Sequence, residues 1–112
     1  MPTFHLSIIT ATGKAFDGPA EAVVLSGTVG DFGILAHHTP LIGGLRKGVS
    51  KVTKEDGSEL FFMTGLGYVE VLKNEVAVLV GQAIQVKDRA TAIELLKQKD
   101  PWDAAEKMNA NT

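Results

Sequence analysis

Gly27-Thr-Val-Gly-Asp-Phe-Gly-Ile-Leu-Ala-His-His-Thr-Pro40, with Leu41 and Ile42 after it, is the stretch around which the chain is organised. Glycines at 27, 30 and 33 predict backbone positions that need φ > 0 or a close approach. Asp31 lies between two of them, where a short carboxylate can accept from nearby backbone N–H groups. Strand-like sequence flanks the stretch on both sides. An ordered, surface-directed loop system is therefore expected, with Phe32 to Leu35 as its one strand-like piece. Local physics alone favours an ordinary pair of turns in an all-β domain over this reading.

Working outward toward the N-terminus, Phe4, Leu6 and Ile8 alternate with His5, Ser7 and Ile9, the period of a strand. Thr10 to Lys14 reads as a turn and Phe16-Asp-Gly-Pro19 as a second one, with Gly18-Pro19 as the breaker. Ala22 to Leu25 predicts a short strand. Toward the C-terminus, Gly43-Gly44 and Gly48 punctuate the chain before a strand over Val49 to Lys54. Asp56-Gly57 is a two-residue hairpin signal leading into Leu60 to Thr64. Gly65 and Gly67 mark a bend or bulge. Tyr68 to Leu72 and Val76 to Val80 are further strands, joined by a Lys73-Asn74 turn. Leu60 to Met63 and Val76 to Val80 are apolar on both faces and so need cover on both sides.

The pattern changes at Asp88, a candidate N-cap for a helix over Arg89 to Lys99, with Ala92, Ile93, Leu95 and Leu96 as its apolar stripe. Asp100-Pro101 stops that helix and can start another, with Asp100 as N-cap and Pro101 at the first helical position. Trp102 to Met108 is then at most two turns, too short to be helical alone. Trp102, the only tryptophan, is expected to dock on its own domain. The layout is a β-rich domain over residues 1–86 and a helical tail over residues 87–112.

Composition sets further bounds. A chain of 112 residues that is 45% hydrophobic can build one domain with a real core. A net charge of -2 gives no reason to expect nucleic-acid binding or attraction to anionic lipid. The absence of cysteine excludes disulfides and thiolate chemistry. The N-terminus lacks a basic region followed by an apolar run, and Val76 to Val80 is far short of the ~20 residues that span a bilayer. No direct membrane insertion is expected.

Motifs that carry chemistry are few and incomplete. Thr12-Gly13-Lys14 resembles the end of a phosphate loop, but Ile8 stands where its first glycine belongs and Ala15 where its hydroxyl belongs. Gly65-Leu-Gly67 lacks the third glycine of a dinucleotide fingerprint, since Glu70 occupies its place. His37 and His38 are adjacent and point oppositely in an extended segment, so they cannot easily share a metal. No nucleophile and base mark a triad. The residues predict a non-catalytic, mainly β scaffold without cofactor or metal. An enzyme of unrecognised type is the competing reading.

In this setting the chain resembles the epsilon subunit of bacterial F-type rotary ATP synthase. The resemblance runs from about Phe4 to about Leu96. It is carried by the Phe-His-Leu strand start, by Phe16-Asp-Gly18, and by Gly27-Thr-Val-Gly-Asp-Phe-Gly-Ile34, like the family's Gly-x-x-Gly-x-x-Gly-Ile. His38-Thr-Pro-Leu41 is like its His-x-Pro-Leu. The hairpin, the Gly65/Gly67 segment and Val76-Ala-Val-Leu-Val80 follow in the family's order. The resemblance implies a mainly β fold, a flattened two-sheet β-sandwich with a short C-terminal α-helical tail of one full helix plus a stub. It implies a non-catalytic, peripheral subunit on the cytoplasmic side of the bacterial inner membrane. Its partners would be the gamma subunit and the membrane proton-carrying ring, which it helps lock together so that rotation reaches the catalytic head.

Motif matching implies ring contact at Val29, Gly30, Asp31 and His38, with Thr39, Pro40, Leu41 and Ile42 beside them. Gamma contact falls on the doubly apolar strands, at Leu60, Phe62, Val78 and Val80, unless the tail covers them. The tail departs from the family's two long helices. Arg89 and Ala90 match only the end of the family's ATP-binding motif, with Gln85 and Val86 in place of its hydrophobic-aspartate pair. No nucleotide site and little or no inhibition by the tail are expected. The alternative is a regulator whose C-terminal helix inhibits ATP hydrolysis.

Overall fold

The computed structural model describes residues 1–110 and contains, among them, nine strands and two helices. In chain order these are β1 (Phe4–Thr10), β2 (Gly13–Gly27), β3 (Gly30–Leu35), β4 (Leu41–Leu45), β5 (Gly48–Lys54), β6 (Glu59–Thr64), β7 (Gly67–Leu72), β8 (Glu75–Val80), β9 (Ala83–Val86), α1 (Arg89–Leu96) and α2 (Pro101–Ala110). The strands form a two-layered sandwich held together by β2. Its first half pairs with β1, and its second half pairs with β3 and β5. One layer is therefore β3-β2-β5-β6-β9 and the other β2-β1-β8-β7-β4, with β1 and β8 parallel.

Phe16-Asp-Gly-Pro19 is not a turn. It lies inside the 15-residue β2, with Pro19 opposite His5 and Gly18 opposite Leu6. Before Ala20 the strand has a partner only in β1, so the missing proline N–H disturbs no second ladder. The register then shifts between Ala20 and Ala22, where β2 passes from one layer to the other. Gly43-Gly44 likewise does not break the chain but lies in β4, opposite Val69 and Tyr68. A further strand, β9, follows Val80 and pairs with β6. The hairpin at Asp56-Gly57 forms with a longer loop than two residues. Gly57 N–H donates to Lys54 O, Lys54 N–H donates to Ser58 O, and Gly57 has φ 86°, the left-handed position such loops reserve for glycine. Lys73 and Asn74 both have positive φ, as a tight hairpin turn between twisted strands requires.

Two apolar clusters explain the doubly apolar strands. Between the layers lie Leu6, Ile8, Val23, Leu25, Ile34, Val52, Phe62, Val69 and Val78, all buried. Phe16 meets Phe62 edge-on at 6.5 Å between ring centres. On the outer face of β5-β6-β9, Val49, Met63 and Val86 pack against Ala92 and Leu95 of α1 and Ala105 of α2. The helical tail thus supplies the cover that β6 needs, and Trp102 docks in this second cluster.

The helices differ from expectation in length. Asp88 caps α1 through a bond from Thr91 N–H, but the helix ends at Leu96, because Lys97 and Gln98 N–H groups donate three residues back and tighten the last turn. Asp100 caps α2 through Asp103 N–H. That helix runs for 10 residues, longer than the eight of α1 and longer than two turns. No helix among the described residues is long and apolar enough to cross a membrane.

Candidate functional site

The glycine-rich stretch is a hairpin rather than a loop system. Strands β2 and β3 run in register from Ala22↔Leu35 to Gly27↔Gly30, turning at Thr28-Val29. Gly30 has φ 143°, so one glycine of the motif serves a backbone conformation that side chains disfavour. Gly27 serves a close approach, since a β-carbon there would lie 2.7 Å from Gly30 O and 2.8 Å from the Phe32 ring. Gly33 does neither, its nearest neighbours being 3.9 Å away. The tip is braced from the side: Thr28 N–H donates to Gly44 O and Arg46 N–H to Ser26 O. Val29 is fully exposed at this braced tip. Asp31 accepts from Arg46 Nη2 at 3.1 Å rather than from local backbone N–H groups, and Arg89 Nη2 lies 3.8 Å from its other oxygen.

The expected ring-contact residues fall into two groups. Val29, Gly30 and Asp31 sit at one end of β3, while His38, Thr39 and Pro40 follow its other end, about 20 Å away at the strand's rise per residue. At that far end His37 adopts φ 62° and donates its N–H to Asn74 Oδ1 at 2.7 Å, and Asn74 Nδ2 donates to Thr3 O. The His38 ring bonds the neighbouring Thr39 carbonyl at 2.6 Å. Leu41 and Ile42 are the first residues of β4, not loop residues. An open groove lined by Val29, Asp31, Phe32, Leu41 and Gly43 lies between the hairpin end and β4, and does not include His38, Thr39 or Pro40, while Ile42, alternating with Leu41, projects from the outer face of β4, 73% exposed.

The residues expected to touch gamma do not form a surface. Phe62, Val78 and Val80 are buried between the layers, and Leu60 packs against the same core half-buried. Their apolar character serves the sandwich, because strands covered on both faces need it whether or not a partner exists. The exposed apolar face lies elsewhere, on the outside of β4-β7-β8-β1. There the register aligns Tyr68 with Leu79 and Leu79 with Ile9 in one row, with Ile42 and Leu72 to the sides. The sequence carries a signal for it that periodicity-based assignment missed. In Tyr68-Val-Glu-Val-Leu72 the buried positions are the two valines, so Tyr68 and Leu72 are apolar residues on the solvent side of an alternating strand.

Beside that row, His5 Nε2 lies 2.6 Å from Asp17 Oδ1, and Nδ1 lies 3.4 Å from Glu75 Oε1. Bonds from His5, Lys14 and Ser7 hold the Asp17 carboxyl below its ordinary value despite some desolvation. These groups tie β2, β1 and β8 together across the sheet. Among the described residues no group of His, Asp and Glu is arranged to hold a metal. Arg89 and Ala90 open α1, with Arg89 turned to Asp31.

Comparison with known proteins places these features in context. Residues 3–86 match the family described as ATP synthase, Delta/Epsilon chain, beta-sandwich domain. The chain is 39% identical over 103 residues to the ATP synthase epsilon chain of Polaromonas naphthalenivorans (strain CJ2), a match covering 88% of this chain and 75% of that one. It is 35% identical over 88 residues to the sodium ion specific ATP synthase epsilon chain of Propionigenium modestum, covering 79% of this chain and 64% of that one. Among solved structures, it is similar to a chain of the Euglena gracilis mitochondrial ATP synthase (OSCP/F1/c-ring), with TM-score 0.72 and 19% identity over 96% of this chain and 74% of that one. A chain of the Tetrahymena thermophila mitochondrial ATP synthase central stalk and c-ring is also similar, with TM-score 0.61 and 13% identity over 71% and 64% of the two chains. At these identities the structural likeness concerns the fold alone.

Proposed function

The chain belongs to the ATP synthase delta/epsilon chain family, with the epsilon chains among its relatives, and from that premise we propose that it couples the central stalk to the membrane ring of a proton-translocating synthase. It is a non-catalytic subunit. In this role it sits peripherally on the cytoplasmic side of the bacterial inner membrane, bound to the gamma subunit and to the ring.

The observation that carries this reading is the braced β2–β3 hairpin, which presents Val29 and Asp31 on the sandwich and continues through the groove to Leu41. A coupling element must transmit torque, so its contact residues belong on paired strands rather than on mobile loops. Ring contact runs along this side, with Val29 and Leu41 supplying apolar area and Asp31 and His38 polar contacts, and with Gly30, Thr39 and Pro40 shaping the backbone between them, while Ile42, alternating with Leu41, turns to the outer face of β4. A few packed anchors govern such an interface. The gamma subunit packs on the Tyr68–Leu79–Ile9 row of the other layer, where exposed Tyr68 aligns with half-buried Leu79 and Ile9 across three strands. The tail adds little inhibition: its two helices span only eight and 10 residues, and Arg89 and Ala90 stand without the hydrophobic-aspartate pair before them, where the chain has Gln85 and Val86.

The test is size-exclusion chromatography of the chain with a gamma-containing catalytic head lacking epsilon, with and without ring, and ATPase activity read on the same fractions. Co-elution with unchanged hydrolysis is expected. Leu79→Asp should abolish co-elution with the head, and Val29→Asp at the hairpin tip should spare the head but lose the ring. Absence of association with a matched head would refute the rotor assignment, and co-elution with suppressed hydrolysis would refute the inactive tail.

A further inference from the structure

The Asp31 carboxylate is held from two directions. Arg46, from the β4–β5 connection, donates to Oδ1 at 3.1 Å, and Arg89, the first residue of α1, approaches Oδ2 at 3.8 Å. Among the described residues, the Arg89–Asp31 pair is the only ion pair joining a helix to a strand; the pairs of Lys97 with Glu94 and of Lys107 with Asp103 stay within the tail. The remaining anchorage of the helices is an apolar cluster with half-buried Trp102 and Leu96 at its margin, and a hydrogen bond from Asn109 Nδ2 to Gln85 O. Their buried side chains are Ala92, Leu95, Pro101 and Ala105, three of them short. A short terminal helix pair on one sheet face opens locally at a lower free energy than the sandwich, and a polar contact at its root then shifts that population measurably.

We propose that Asp31 is an electrostatic latch between the β2–β3 hairpin and the helical tail. A cation that engages Asp31 from outside competes with Arg89 for Oδ2 and loosens α1. The partner half of this inference rests on the hairpin being a contact surface, as proposed above. Arg46 keeps Oδ1 in either state, so the hairpin stays braced while the tail is released. The coupling is reciprocal: a loosened tail leaves Asp31 freer for a partner. The pair is half exposed, so the effect is a several-fold change in tail opening rather than a complete switch.

Amide hydrogen exchange of the whole chain at low salt tests the latch. Arg89→Gln and Asp31→Asn should each speed exchange over residues 89–99 by roughly two- to fivefold, and the double variant by no more than the larger single effect. Salt at about 0.5 M should bring the parent chain toward the variants. Unchanged exchange in Arg89→Gln, or single effects that simply add, would overturn the latch. Adding the detergent-solubilised rotor, gamma plus ring, should then protect the hairpin and raise tail exchange of the parent chain to the Arg89→Gln level. A protected hairpin with an unchanged tail overturns the competition. An unprotected hairpin overturns the partner contact of the preceding subsection, while the exchange cycle on the free chain still decides the latch.

Discussion

Gly67 faces Leu79 so closely that a β-carbon at position 67 would lie 1.9 Å from the Leu79 carbonyl oxygen and 2.8 Å from Val80 Cα. Both are backbone atoms of β8, so no side chain can swing away to make room. The same two strands carry Tyr68 and Leu79, paired on the outer face in the row that Ile9 continues. Gly67→Ala must push β7 from β8 and is expected to cost about 1–3 kcal/mol or more, as overpacking does. Urea unfolding followed by far-ultraviolet circular dichroism measures it; an unchanged midpoint would mean that the strands part without cost.

The motif glycines are not equivalent. Gly30, at φ 143°, has open space around it, so the penalty for a side chain there is conformational. Gly33 has ordinary strand geometry and no neighbour nearer than 3.9 Å. Gly30→Ala should therefore destabilise by about 1–2 kcal/mol, and Gly33→Ala should be neutral or stabilising by up to about 1 kcal/mol through its effect on the unfolded chain. Denaturant midpoints of the two variants settle the order. If Gly33→Ala were the more harmful, the spacing-three pattern would reflect something other than backbone demand.

Ser50 and Thr64 form a buried hydroxyl pair, 2.8 Å apart on β5 and β6. Removing one hydroxyl strands the other away from water. Ser50→Ala is expected to lose about 1–3 kcal/mol, and Ser50→Ala with Thr64→Val less than the sum of the two single changes. Additive losses would show that the pair contributes no more than its separate packing.

Much of this architecture is legible in the residues, and the parts that are not share a cause. Periodicity finds β1, β5, β7 and β8 because each alternates or is bounded by turn residues. It fails at Gly18-Pro19 and at Gly43-Gly44, where residues that punctuate isolated segments are tolerated by tertiary pairing: β2 has one partner at Pro19, and β4 is held by β7. Asp31 illustrates the limit for sites. Its position beside glycines suggests local N–H partners, yet its partners are Arg46 and Arg89, 15 and 58 residues away in sequence. Phe62 and Val78 show the converse, apolar residues whose burial no local pattern can distinguish from an interface.

Asp88 supplies a pH-dependent element at the root of the tail. Hydrogen bonding to Thr91, whose N–H donates to Asp88 Oδ1 at 2.7 Å, holds the carboxyl below its ordinary value of 3.8. Because the folded-state value is depressed, the ionised cap contributes stability above the unfolded value, and that contribution is lost as pH falls through the lower folded one. Asp17 and Asp56 are depressed in the same direction, so the whole domain should weaken on acidification. Asn is an equally good cap but does not titrate. Asp88→Asn should therefore match the parent chain at about pH 6 and lose less tail stability at about pH 3. Trp102, the only tryptophan and docked with the tail, reports this through its fluorescence during thermal unfolding. Identical acid sensitivity in the two chains would place the loss at Asp17 and Asp56, away from the helix start.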